Sequence, residues 1–137
     1  MKKIHNEIFT VYYENTDSSG FTYHTSYLSW AERARSNMLR KNFPKVISLL
    51  KNNSFFFVVR KLEVEFFQPS FLFDDLLVET FFKENTKTSI KIVQKFRKND
   101  QTICKIDVFL VWIDGNTSKP SRIPNDIISR FKLMEVV

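Results

Sequence analysis

The sequence predicts an α+β fold in which a curled antiparallel β-sheet wraps around one long central α-helix. Three observations lead there. Apolar residues recur at helical spacing between His24 and Asn42, several later segments alternate with period two, and the connections between the last of those segments are very short. Only the helix from His24 is long and apolar enough to cover a sheet face, so the sheet is expected to curl around it.

Taken in order, residues 7–13 carry β-branched and aromatic side chains and read as a first strand, ended by the polar run from Glu14 to Gly20. In the helix, Tyr27, Trp30, Ala31, Ala34 and Met38 form one apolar stripe, with Glu32, Arg33, Arg35 and Arg40 at other positions. Asn42 suits a C-terminal cap, and Pro44 blocks smooth continuation. Four extended segments follow: 55–67, 76–83, 88–97 and 102–114. In the first, Leu62, Val64 and Phe66 alternate with Lys61, Glu63 and Glu65. The links at 84–87 and 98–101 are too short for a parallel crossover and therefore join antiparallel neighbours in a meander. Gly115 and Asn116 end the sheet, and 124–134 read as a short terminal helix opened by Pro124.

Composition narrows the function classes. The chain has 137 residues, 43% of them hydrophobic, with no Pro, Gly or Ser-rich stretch to divide it, so one domain spanning 1–137 with a real core is expected. A lone cysteine, Cys104, forms no internal disulfide, and the first residues lack the apolar stretch of a signal peptide; a cytoplasmic location is the expectation. The apolar runs at 55–59 and 66–73 fall far short of the ~20 residues a membrane-spanning helix needs, so no transmembrane segment is expected. Fifteen Phe residues fit an AT-rich coding bias and are not taken as functional. Two glycines, Gly20 and Gly115, are too few for a phosphate-cradling loop, and there is no G-x-S-x-G elbow. Two histidines and one cysteine are too few for a structural zinc site, so no metal and no cofactor is expected. A net charge of +6 points to an anionic partner. The basic residues are spread along the chain with no nucleic-acid motif around them, and no nucleic acid is expected.

What remains is Asp17, Gly20 and His24 at the junction of strand and helix. A helix start presents amides without intrahelical partners and a partial positive charge, which suits a developing oxyanion. A glycine just upstream lets the backbone turn sharply, and Asp17 brings a carboxylate to the same place. The same residues are also ordinary turn and capping chemistry, so spacing alone leaves both readings open.

The run "VYYENTDSSGFTYHTSYLSWAERARSNML" resembles the signature of YbgC-type acyl-CoA thioesterases, in the hotdog superfamily with hydroxybenzoyl-CoA thioesterase. The pattern is a strand ending Tyr-Tyr-Glu, then Thr-Asp, a Gly, Tyr-His, a Tyr three residues on, and Glu-Arg-Ala-Arg in the helix. The similarity continues in "FFVVRKLEVEFFQPSFLFDDLLVET" and "KPSRIPNDIISRFK" and so covers nearly the whole chain. It implies a hotdog fold and hydrolysis of acyl-CoA to free acid and CoA. The Asp of the Thr-Asp pair, here Asp17, is the implied nucleophile or general base, with Tyr13 and His24 beside the reactive carbonyl. Gly20, Tyr23 and Thr25 are expected to contact substrate, and Arg60, Lys61 and Lys87 to meet the CoA phosphates.

Another branch of that superfamily uses a Glu within the helix. Glu32 is available for it, but the Thr-Asp signature favours Asp17, and Glu32 is expected to pair with a nearby Arg. Asn15 stands where the family usually has Asp, and Ser18 with Ser19 replaces a small or glycine-bearing pair. The resemblance also implies a homo-oligomer, dimer or tetramer, paired sheet edge to sheet edge with the site between chains. Acyl carrier protein is an implied partner, through the family's association with the Tol-Pal envelope machinery. The competing readings are a non-catalytic hotdog module that binds acyl chains or a protein, and a hotdog hydratase. Release of free thiol from acyl-CoA separates both from the thioesterase.

Overall fold

The computed structural model describes residues 1–136. Strand β1 (Lys2–Thr10) leads through a 3-10 turn at Tyr13–Asn15 to helix α1 (His24–Asn42) and helix α2 (Pro44–Lys51). Strands β2 (Phe55–Phe66), β3 (Asp75–Asn85), β4 (Ser89–Lys98), β5 (Gln101–Asp114) and the two-residue β6 (Lys119–Pro120) follow, then helix α3 (Asn125–Leu133). The sheet order is β1-β3-β4-β5-β2, every pair antiparallel, with β6 added to β5. This is the curled sheet around a central helix that defines the hotdog fold.

The first strand lies earlier than the residue types indicate, at Lys2–Thr10 instead of 7–13. Val11 still donates to the Asp74 carbonyl at 2.9 Å. Asn15 then captures the chain: its Oδ1 accepts from the Tyr12 amide at 2.9 Å, and its own amide donates to the Tyr12 carbonyl at 2.9 Å. A short polar side chain offering the backbone such a partner competes with extension, so Tyr13 falls in a turn.

Helix α1 occupies the predicted residues and buries Tyr27, Trp30, Ala31, Ala34 and Met38. Each of the large side chains contributes about 1.5–3 kcal/mol through burial, while the two alanines allow the helix to lie close on the sheet. One polar contact fixes its seating. Gln94, fully buried on β4, donates to the Ala31 carbonyl at 2.9 Å and to Thr80 Oγ1 at 3.1 Å, and accepts from Arg35 at 2.9 Å. The cap residue is Phe43, not Asn42; the Asn42 side chain instead donates to the Met38 carbonyl at 3.0 Å. Pro44 does more than stop α1, since it opens α2 at a position where a missing N–H costs nothing.

The β3–β4–β5 meander follows from its tight connections; Asn99 and Asp100, both at positive φ (49° and 64°), make the β4–β5 turn. Strand β2 does not join this meander in chain order. It pairs only with β5, and residues 67–74 carry the chain from β2 to β3 on the far side. β1 and β2 are thus the two edges. Gly115 sits where an added Cβ would lie 1.9 Å from the Asn53 carbonyl oxygen, so only glycine passes there. Phe131 of α3 closes the core at that end, 4.4 Å from Phe43 and 5.6 Å from Phe82 between ring centroids.

Cys104 is fully buried on β5, and burial pushes its thiol up to about 12. The native protein is therefore expected to show no reaction with a disulfide thiol reagent until denatured, then one equivalent. Rapid reaction of the folded protein would contradict this burial.

Candidate active site

Residues 16–23 form a compact loop between the 3-10 turn and α1. It is pinned by bridges between Thr16 and Thr22 and between Phe21 and Phe71, and by the Tyr23 amide donating to the Asn15 carbonyl at 2.8 Å. Inside it the Asp17 amide donates to the Phe21 carbonyl at 2.8 Å, and the Gly20 amide to the Asp17 carbonyl at 3.1 Å. Gly20 has φ of +88°, in the region that favours glycine, which answers why one of two glycines stands here.

The same turn holds the carboxylate. Asp17 Oδ1 accepts from the Ser19 amide at 2.8 Å, from the Phe21 amide at 3.2 Å and from the Ser19 hydroxyl. Among the described residues Oδ2 has no partner. The Ser19 hydroxyl first, then the loop amides, hold the Asp17 pKa below the ordinary aspartate value. A depressed pKa keeps the carboxylate ionised down into the acid range, so activity that needs the anion is lost only as pH falls through that lowered value. Replacing Ser19 by Ala is expected to move the acid limb of a kcat/KM profile to higher pH; an unmoved limb would show that this hydroxyl does not set it.

Helix α1 opens beside this loop. Its cap residue, Tyr23, makes no side-chain cap, and the His24 and Thr25 amides have no acceptor among the described residues. They are free to receive an anion. Asp17, Tyr23 and His24 line one cleft of about 430 Å³, together with Phe21, Thr22, Tyr27 and residues 66–69 at the end of β2. Behind this lining a hydroxyl chain links Tyr27 and Thr22 through the buried Ser70: the Tyr27 and Ser70 hydroxyls lie 2.5 Å apart, and those of Ser70 and Thr22 2.6 Å apart. Tyr27 is buried, and that burial raises its pKa, so it stays a neutral phenol.

The other residues singled out from sequence lie outside this lining. Thr25 is exposed on the first turn of α1. Tyr13 is 77% exposed and packs edge-on against Phe73 at 6.2 Å, because the 3-10 turn carries it away from the strand end. Arg60 borders a separate hollow with Glu84, Thr86 and Lys91, Lys61 pairs with Glu63 at 2.8 Å, and Lys87 lies in the β3–β4 turn. Glu32 is exposed and, among the described residues, forms no close ion pair; burial lowers the Arg35 pKa and the Glu32 charge raises it, so the expected Arg neighbour is present but not in contact. Sequence reasoning missed Tyr27, Thr22 and residues 66–69. The Tyr three residues after His24 was a signal for the first; the Gln-Pro break closing β2 was one for the last.

The cleft thus sets a carboxylate held ionised beside unpaired helix amides, between aromatic walls, within a hotdog fold. The chain belongs to the Thioesterase-like superfamily, whose sequence model matches residues 11–131. It is 36% identical over 123 residues to the acyl-CoA thioester hydrolase YbgC of Escherichia coli O157:H7, covering 89% of this chain and 91% of that protein. It is 34% identical over 122 residues to the acyl-CoA thioesterase YbgC of Haemophilus influenzae, covering 88% and 89%. The crystal structure of a 1,4-dihydroxy-2-naphthoyl-CoA thioesterase from Synechocystis superposes with a TM-score of 0.86 over 94% of this chain and 96% of that one; at 17% identity it speaks for the fold.

Proposed function

We propose that this chain hydrolyses acyl-CoA thioesters to the free acid and CoA. One observation carries the reading: the ionised, half-free Asp17 carboxylate shares a cleft with the open N-terminus of α1. The thioester carbonyl oxygen rests on the His24 and Thr25 amides, whose bonds strengthen as negative charge gathers there. Asp17 Oδ2 takes a proton from water while the new hydroxide attacks the carbonyl carbon, or attacks that carbon itself to give an anhydride that water then opens. Collapse of the tetrahedral intermediate breaks the C–S bond. The thiolate, with an acidity of about 8.5 like that of cysteine, leaves near neutral pH without a strong acid and takes up the proton. The His24 ring, at the mouth, orients the acyl group, and Tyr23 and the phenyl walls exclude water. A panel of acyl-CoAs read by free thiol tests this; no release from any of them would end the proposal, and the buried Cys104 keeps the background low.

A homo-oligomer belongs to the same reading. β2 is a twelve-residue edge strand, long for an unprotected edge, and Val58, Val59, Leu62 and Phe66 on it are 37–50% exposed. A second copy pairing along β2 covers them and brings partner residues to the cleft, whose wall is the end of that strand. The CoA phosphates are then met by cations such as Arg60, Lys61 and Lys87 from one copy or the other, and acyl carrier protein is the second thioester donor of this class. Leu62→Lys is expected to shift the protein to monomer in sedimentation analysis; a wild type already monomeric at micromolar concentration would remove the interface.

A further inference from the structure

Ser70 lies in the segment that follows β2 and is fully buried. A serine in a connecting segment ordinarily spends its hydroxyl on a turn nearby. This hydroxyl instead meets Tyr27 and Thr22, 43 and 48 residues away in the chain, at 2.5 and 2.6 Å. The Ser70 carbonyl also accepts from Thr22 twice, from the amide and from the hydroxyl, both at 3.0 Å. Since the Thr22 proton goes to that carbonyl, the Ser70 hydroxyl donates to Thr22 and the Tyr27 phenol donates to Ser70, which uses all three protons. Among the described residues the phenol has no other partner. Hydroxyls taken out of water are tolerated only while they stay paired, so the three stand or fall together.

The joint ties together the two halves of the proposed chemistry. Thr22 closes the loop that carries Asp17, through its bridge to Thr16. Tyr27 stands on α1, three residues past His24. Its ring packs edge-on against Trp30, Phe66 and Phe96, with centroids 5.7, 5.4 and 5.2 Å away, so the phenol oxygen is a fixed point of the core. Ser70 and Tyr27 are 0% and 3% exposed within one chain, so a second copy pairing along β2 leaves the joint intact.

We infer that Ser70 is a positioning residue: its hydroxyl joins Tyr27 on α1 to Thr22 on the Asp17 loop and so sets the separation between the carboxylate and the helix amides. The inference rests on the thioesterase reading and deepens it. Losing this hydroxyl leaves Asp17 ionised, since that charge is held by Ser19 and the loop amides. What changes is the alignment of carboxylate and amides, on which the chemical step depends more steeply than binding does.

Thiol release from CoA thioesters, acetyl to palmitoyl, tests this in Ser70→Ala and in Thr22→Val, which cuts the other end of the chain and leaves the Tyr27–Ser70 pair. For the acyl-CoA that the wild type turns over best, kcat per folded molecule is expected to fall roughly 10–100-fold in both, with KM little changed and the acid limb of the pH profile unmoved. The double variant Ser70→Ala/Tyr27→Phe removes both partners, so its melting temperature is expected to recover while kcat stays low. A kcat that returns with stability, or one within about two-fold of wild type in Ser70→Ala or Thr22→Val, overturns the assignment. Should Ser70→Ala fail to fold by circular dichroism, the double variant and Thr22→Val decide by the same measure. Hydrogen exchange reads the joint without turnover: the Asp17, Gly20 and Thr22 amides are expected to exchange about ten-fold faster in Ser70→Ala, the worth of a lost hydrogen bond. Unchanged exchange overturns the inference. Absence of thiol release from the wild type would remove the hydrolase reading alone and leave the exchange result to decide this one, so the two failures are distinguishable.

Discussion

Asp17→Asn is expected to fold normally and to lose on the order of 10²–10⁴-fold in kcat/KM for every acyl-CoA that the wild type turns over. The substitution keeps the shape and an oxygen that still accepts from the loop amides, so the turn from Asp17 to Phe21 persists. What disappears is the negative charge, and with it both roles proposed for this carboxylate, nucleophile and proton acceptor. His24→Ala is the informative companion. It keeps the backbone N–H proposed to polarise the carbonyl and removes only the ring, so its loss is expected to be smaller. Wild-type turnover in the Asp17→Asn variant would show that the cleft is not where the chemistry happens. A His24→Ala loss as deep as that of Asp17→Asn would make the ring a participant in the chemistry instead of an orienting group.

Trp112→Ala is expected to cost about 3–5 kcal/mol of stability, a large part of the ~5–15 kcal/mol that holds a domain of this kind together. Trp112 is 1% exposed on β5, stacked with Phe55 at 5.8 Å and packed on Phe57 at 4.7 Å. Its amide donates to the Thr88 carbonyl at 2.8 Å and its carbonyl accepts from the Ser121 amide at 2.9 Å, so the β3–β4 turn and the residue after β6 hold its backbone in place and limit collapse around a shortened side chain. Urea denaturation followed by circular dichroism measures the loss. Because Trp112 lies at the end of β5 remote from Asp17, the folded fraction is expected to keep its turnover number; a stability loss of less than about 1 kcal/mol would mean the aromatic cluster repacks freely.

The elements legible in the sequence were those governed by near neighbours. The stripe from Tyr27 to Met38 gave α1 its limits because a helix's periodicity and its stop at Pro44 are both local. The tight links after β3 and β4 gave the meander for the same reason. What sequence could not show was pairing between distant segments: nothing in 55–67 says that this strand docks on β5 and leaves an edge. α2 escaped because only Val46 of its eight residues is buried, so its periodicity is faint. In the site, the loop from Asp17 to His24 was legible through its glycine and its single ionisable groups. The cleft wall at 66–69 and the Ser70 hydroxyl were not, being some fifty residues away in the chain. The positions of Arg60, Lys61 and Lys87 gave their charge but not the face on which each side chain stands.

The segment from residue 67 to residue 74 has two duties: it returns the chain across the sheet, and it walls the chamber beside Asp17. It follows β2 and precedes β3, and its ties to the Asp17 loop include the bridge from Phe71 to Phe21 and the Ser70 carbonyl and hydroxyl, which meet the Thr22 amide and hydroxyl. Lengthening or shortening this strap would change the bore of the chamber while every strand kept its register. Selection can therefore retune which molecules are admitted without reopening the question of how the polypeptide folds.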